Sequence, residues 1–101
     1  MIVDERVRDY IRSLEPGQDS LCGRIAREAE AGKIPIIKKE TAALLKTLIT
    51  AKRPGAILEV GTAVGYSALL MAGVMPDSCR ITTIEKYGPR ILAARENFKK
   101  A

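Results

Sequence analysis

The sequence contains no histidine in its 101 residues, and that absence removes more chemistry than any other. Without an imidazole there is no Ser–His or Cys–His nucleophile pair and no histidine general base. Any catalysis must fall to carboxylates, Lys, Tyr or a metal held by oxygen ligands. Cysteine is scarce, and Cys22 and Cys79 stand far apart. With no His to complete a ligand set, both read as reduced thiols. No apolar run is long enough to span a bilayer. The N-terminus carries Asp4 and Glu5 where a leader would need an uninterrupted apolar stretch, so no signal peptide is expected and the cytoplasm is the expected compartment. Aromatic residues make up only 4%, so the core must rest on Leu, Ile, Val and Ala.

What remains is ordinary for one modest domain, with a hydrophobic fraction of 47%. Lys and Arg number 17 against 12 Asp and Glu, a net charge of +5. Such a balance suits acidic partners, RNA among them, or simply a solvated basic surface. Arg24, Arg27, Lys38 and Lys39 carry the same two readings.

Periodicity divides the chain near residue 55. Val3, Val7, Tyr10, Ile11 and Leu14 recur at three- and four-residue steps and predict a helix over Asp4 to Leu14, stopped by Pro16-Gly17. Asp19 or Ser20 can cap a second helix, with Leu21, Ile25 and Ala29 on one face and Gly32 at its end. Pro35 makes the Ile34 to Ile37 stretch extended. A third helix is expected over Glu40 to Ala51, turning Leu44, Leu45, Leu48 and Ile49 inward. The grammar then changes. Ala56 to Val60 reads as a buried strand, Tyr66 to Val74 as a helix, and Arg80 to Glu85 as a β-branched second strand. Pro89 suits the first position of a last helix, with Ile91, Ala94 and Phe98 on its inner stripe. The expected class is α/β: a helical region over 1–55, then β-α-β-α over 56–101.

The most informative stretch joins the first strand to its helix: Ile57-Leu58-Glu59-Val60-Gly61-Thr62-Ala63-Val64-Gly65-Tyr66-Ser67. A helix start leaves backbone N–H groups free, and these attract an anionic group. Gly61 and Gly65 permit a sharp turn and close approach of a ligand to the backbone. Tyr66 and Ser67 place hydroxyls at the helix entrance, although Tyr66 reads equally as a packed aromatic. Glu85 ends the second strand, where an acidic side chain in such folds meets a ribose diol. The dinucleotide fingerprint fails because Ala63 stands where a second glycine is required. A phosphate loop fails because Gly61 and Gly65 are too close and no Lys follows. The remaining reading is S-adenosylmethionine, whose ammonium and sulfonium suit an acidic residue such as Glu59.

Glu59-Val-Gly-Thr-Ala-Val-Gly-Tyr-Ser67 resembles the first motif of class I methyltransferases, and more narrowly that of the catechol and caffeoyl-CoA type O-methyltransferases. The leading helices and the Ile34-Pro35-Ile36-Ile37 segment resemble bacterial members, including those that methylate 5-hydroxyuridine in tRNA. The resemblance implies the N-terminal half of a Rossmann-like methyltransferase fold. It places Glu59, Gly61, Thr62, Tyr66 and Ser67 around the methionine end of S-adenosylmethionine and Glu85 on its ribose. Ile37 and Lys38 fall where the family lays an extended segment along the cofactor. The methyl acceptor would be a small phenol or tRNA 5-hydroxyuridine. The family's divalent cation, Mg, takes its ligands from later strands, so catalysis by these residues alone is not expected. Without those strands the sheet edge would stay open, which predicts a homo-oligomer. The competing reading is a non-catalytic RNA-binding or protein-interaction module.

Overall fold

The computed structural model describes residues 4–14 and 20–101. The Pro16-Gly17 stop, the Asp19 cap and Val3 lie outside them. Among the described residues, five helices and two strands run in the order α1 (Glu5–Ser13), α2 (Leu21–Ala31), α3 (Lys39–Lys52), β1 (Ala56–Val60), α4 (Tyr66–Ala72), β2 (Arg80–Ile84) and α5 (Gly88–Lys100). The expected order therefore holds, with ends shifted by one or two residues. Helix α4 ends at Ala72, beyond which the chain tightens into a turn, with Val74 N–H donating to the Met71 carbonyl at 3.1 Å. Helix α5 begins one residue before Pro89.

The strands pair in parallel, Ala56 opposite Arg80 through to Val60 opposite Ile84. Side chains alternate across a strand. Ile57, Glu59, Ile81 and Thr83 are accordingly half-buried, while Leu58, Val60 and Ile84 lie exposed on the other face. Helix α4 packs against β2, and α2 and α3 pack against α4. The core cluster joins Ile25 and Ala29 of α2, Ala42 of α3, and Val64, Tyr66 and Leu70.

Two expectations about helix faces need correction. In α3, Ile49 is buried and Leu45 half-buried, but Leu44 and Leu48 are exposed. At about 100° per residue, Ala42, Leu45 and Ile49 fall within about 60° of one another, and Leu44 and Leu48 lie roughly 90–130° round from the centre of that face. Helix α1 buries nothing. Its stripe of Val7, Tyr10, Ile11 and Leu14 is exposed, and its half-buried residues are Arg8 and Arg12. The Arg12 Nε donates to Glu40 Oε1 of α3 at 2.5 Å, so the described contact runs through a charged pair. No helix among the described residues is long and apolar enough to cross a membrane.

Candidate functional site

The β1–α4 loop is fastened to the end of β2. The Ile84 carbonyl accepts from the N–H groups of Gly61 at 2.8 Å and Thr62 at 3.2 Å. Gly65 N–H closes the turn on the Thr62 carbonyl at 2.9 Å. Backbone handedness alternates along this path, with φ of 99° at Gly61, 48° at Ala63 and 90° at Gly65. Gly65 is required twice over, since a Cβ there would also lie 2.7 Å from the Phe98 ring. Asn97 of α5 supports the loop from below, donating from Nδ2 to the Val64 carbonyl at 2.7 Å in a buried setting.

Two clefts flank this loop. One, of about 240 Å³, is lined by Pro35, Ile36, Ile37, Gly61, Thr62, Ala63, Tyr66 and Ser67. The other, of about 260 Å³, is lined by Thr62, Thr83, Glu85, Ile91, Ala94, Arg95 and Phe98. Thr62 belongs to both. The extended segment before α3 thus forms one wall of the first cleft, through Pro35, Ile36 and Ile37. Lys38 is exposed at the N-cap of α3 and is not part of that wall.

Glu85 follows β2 directly. Its Oε1 accepts from Ala63 N–H at 2.8 Å, and its Oε2 from Lys86 N–H at 3.1 Å and Tyr87 N–H at 3.2 Å. These bonds, the one from Ala63 foremost, hold the carboxyl below its usual pKa. A carboxylate offers about four acceptor sites. Three are used by backbone, and Oε1 keeps one for a ligand hydroxyl.

Glu59 sits behind both clefts and lines neither, because its carboxylate is held by its neighbours. Ser67 Oγ donates to Oε2, and Thr83 Oγ1 donates to Oε1 at 2.7 Å. Thr62 Oγ1 lies 2.6 Å from Thr83 Oγ1. Tyr66 is 3% exposed and belongs to the core cluster, which is its packed-aromatic reading, and it also borders the first cleft. Lys86 is exposed, and Arg90 stacks over the Tyr87 ring at 5.5 Å. Arg24, Lys38 and Lys39 lie at the surface.

Sequence reasoning missed Thr83 and Asn97. Thr83 was within reach: pairing β1 with β2 puts it opposite Glu59. Asn97 sits at a helical step from Ala94 and had no signal of its own. Among the described residues no group of three or more His, Cys, Asp or Glu could hold a metal ion.

Comparison with known proteins gives the family and the fold. A solved structure from Staphylococcus aureus, described as a candidate caffeoyl-CoA O-methyltransferase, superimposes with a TM-score of 0.87 at 32% identity. The match covers 95% of this chain and 46% of that one. The Streptomyces achromogenes O-methyltransferase TomG, solved in complex with SAM, matches with a TM-score of 0.78 at 25% identity, over 97% of this chain and 47% of that one. The human transmembrane O-methyltransferase is 42% identical over 55 residues, which are 54% of this chain and 19% of that protein. The chain thus spans about half the length of these solved structures and about a fifth of that curated relative. Its α/β architecture corresponds to the N-terminal part of a Rossmann-like methyltransferase fold. A family profile described as O-methyltransferase matches residues 21–101, and the chain belongs to that family.

Proposed function

We propose that this chain carries the S-adenosylmethionine-binding part of an O-methyltransferase that transfers a methyl group to a hydroxyl acceptor. The carrying observation is the Glu85 carboxylate, fixed against the loop by Ala63 N–H, with one acceptor site left at Oε1. A ribose hydroxyl is the donor such a site suits. The first cleft, beside Ser67 and Thr62, is the place for the methionine end, with Ile37 along its wall. The apolar side of the second cleft, Ile91, Ala94 and Phe98, suits a purine. TomG, bound to SAM, supports this reading by likeness of fold. When bound, S-adenosylmethionine supplies a methyl group already activated on a sulfonium.

The residues described here bind and orient; none is placed to deprotonate an acceptor. A divalent cation does not fit them, since no cluster of suitable ligands is present among the described residues. Activation of the acceptor, a small phenol or tRNA 5-hydroxyuridine, would draw on other parts of a whole enzyme, and turnover by these residues alone is not expected. We place the enzyme in the cytoplasm. The exposed sheet face of Leu58, Val60 and Ile84 favours association, a homo-oligomer in our reading. The same face keeps a protein-interaction module as the second reading.

Calorimetric titration of S-adenosylmethionine into the chain tests the proposal. Binding is expected, with Glu85→Ala weakening it roughly tenfold or more, as for loss of a charge-assisted hydrogen bond. An unchanged affinity in the variant would remove Glu85 from the site. No binding by the parent chain would favour the interaction module.

A further inference from the structure

A third cleft, of about 270 Å³, opens between α2 and α5 beneath Val64. It shares no lining residue with the two clefts that flank the loop. Its floor is apolar: Ile25 and Ala29 of α2 are each 2% exposed, and Val64 is 5% exposed. Its charged groups are Glu28 of α2 and Glu96 and Lys100 of α5, all exposed at the rim. Two carboxylates against one ammonium give the lining a net charge of −1, in a chain whose net charge is +5. Neither carboxylate is in an ion pair among the described residues. Asn97 adds an independent observation. It is 8% exposed, and its Nδ2 donates to the Val64 carbonyl. A carbonyl only accepts, so that bond fixes which way the amide points. Oδ1 is left with no hydrogen bond of its own. No buried side-chain oxygen or nitrogen among the described residues lacks a partner, so Oδ1 is open, and the cleft is what it opens onto.

We infer that this cleft is a binding site for a small primary alkylammonium, separate from the clefts proposed for the cofactor. The match is one of number, charge and shape. A protonated primary amine brings three N–H donors, and Glu28, Glu96 and Asn97 offer acceptors to meet them. Its single positive charge neutralises the lining. A stem of a few carbons covers the floor of Ile25, Ala29 and Val64, which no polar ligand would do at a gain. The carboxylates repel an anion. A metal ion meets only two of them here, and no group of three or more His, Cys, Asp or Glu among the described residues could hold one. Through the bond from Asn97 to Val64, the site lies one hydrogen bond away from the loop that borders the other two clefts.

Amide NMR titration of the chain at low ionic strength tests this, with n-butylammonium chloride as the probe and 1-butanol as its neutral match. The ammonium should give saturable shifts centred on Ile25, Ala29, Val64 and Asn97, and the alcohol should bind at least about tenfold more weakly. Glu28 and Glu96 are exposed, so Glu28→Gln combined with Glu96→Gln leaves the packing alone; it should weaken n-butylammonium at least about tenfold. Glu30→Gln removes a carboxylate from the same helix outside the cleft and should change the affinity by less than about twofold. Thermal melts report whether each variant is folded. The inference is overturned by an absence of saturable shifts, and by equal binding of the alcohol, which would mean an apolar hollow only. It is also overturned if the double variant binds as the parent does, or if Glu30→Gln is as damaging, which would mean diffuse charge attraction only. No nucleoside enters the titration, so each of these results leaves the cofactor reading standing.

Discussion

Helices α1 and α4 are both short, and they are held in opposite ways. Helix α1 has every local device. The Asp4 side chain accepts from the N–H groups of Arg6 at 2.8 Å and Val7 at 3.3 Å, Glu5 occupies the first turn and Arg12 the last. Each matches the polarity of its helix end. Yet α1 buries no residue. Helix α4 has no side-chain cap and starts on a left-handed glycine, but it buries Tyr66, Ala68, Leu70 and Met71. Local chemistry makes α1 a helix, whereas packing makes α4 one. The binding loop is built on the packed helix, where its geometry is constrained from several sides.

If that contrast is right, substitutions around α4 should cost far more than substitutions in α1. The largest effect is expected for Gly65→Ala. It forces a side chain into a left-handed conformation and against Phe98, and should cost about 2–4 kcal/mol in urea unfolding. A midpoint unchanged from the parent would mean that the Phe98 contact does not constrain the loop. Next is Asn97→Ala, which leaves the Val64 carbonyl without its donor. A loss of about 1–3 kcal/mol is expected, and denaturation monitored by circular dichroism reads it.

Acid should act on both regions at once. The Glu85 carboxyl is held below its ordinary value near 4.5, first by Ala63 N–H, and Glu40 is held below it first by Arg12. A lowered folded-state pKa stabilises the fold fully above the unfolded value, and that stability is lost as pH falls through the folded one. Unfolding midpoints should therefore be flat from pH 7 to about 5 and fall below that. In Glu85→Gln the fall should be shallower. The smallest effect is expected for Asp4→Ala, which should fray α1 and lower the helical signal slightly while leaving the cooperative transition in place. A large drop in the midpoint would show that α1 is integral to the core after all.

The same contrast sets what could be read from sequence. Element type and order were legible, because hydrophobic period and punctuation by Gly32, Pro35 and Pro89 are local signals. The loop was legible because Gly61 and Gly65 announce unusual backbone, and positive φ occurs at both. Which face of a helix turns inward was not legible for α1 or α3. Apolar spacing marks a stripe, but the side that meets the body is chosen by neighbours distant in sequence. Arg12 and Glu40 are an instance, 28 positions apart. The same limit hid Asn97, whose partner lies 33 positions away. It also hid the fact that Glu59 is claimed by Ser67 and Thr83 instead of facing the cleft directly. A sequence lists donors and acceptors without saying which will meet.

The Ile84 carbonyl, which receives both Gly61 and Thr62 N–H, has a consequence for the order of assembly. Those two amides cannot find their acceptor until β2 has docked on β1, and a whole helix separates the strands. Pairing strands that far apart in sequence is slow compared with forming any single helix. The ligand loop is therefore among the last parts of the chain to acquire its shape, and it cannot hold that shape in a partly folded molecule. In hydrogen exchange its amides should open with the sheet as one unit, whereas those of α1 should exchange early and independently.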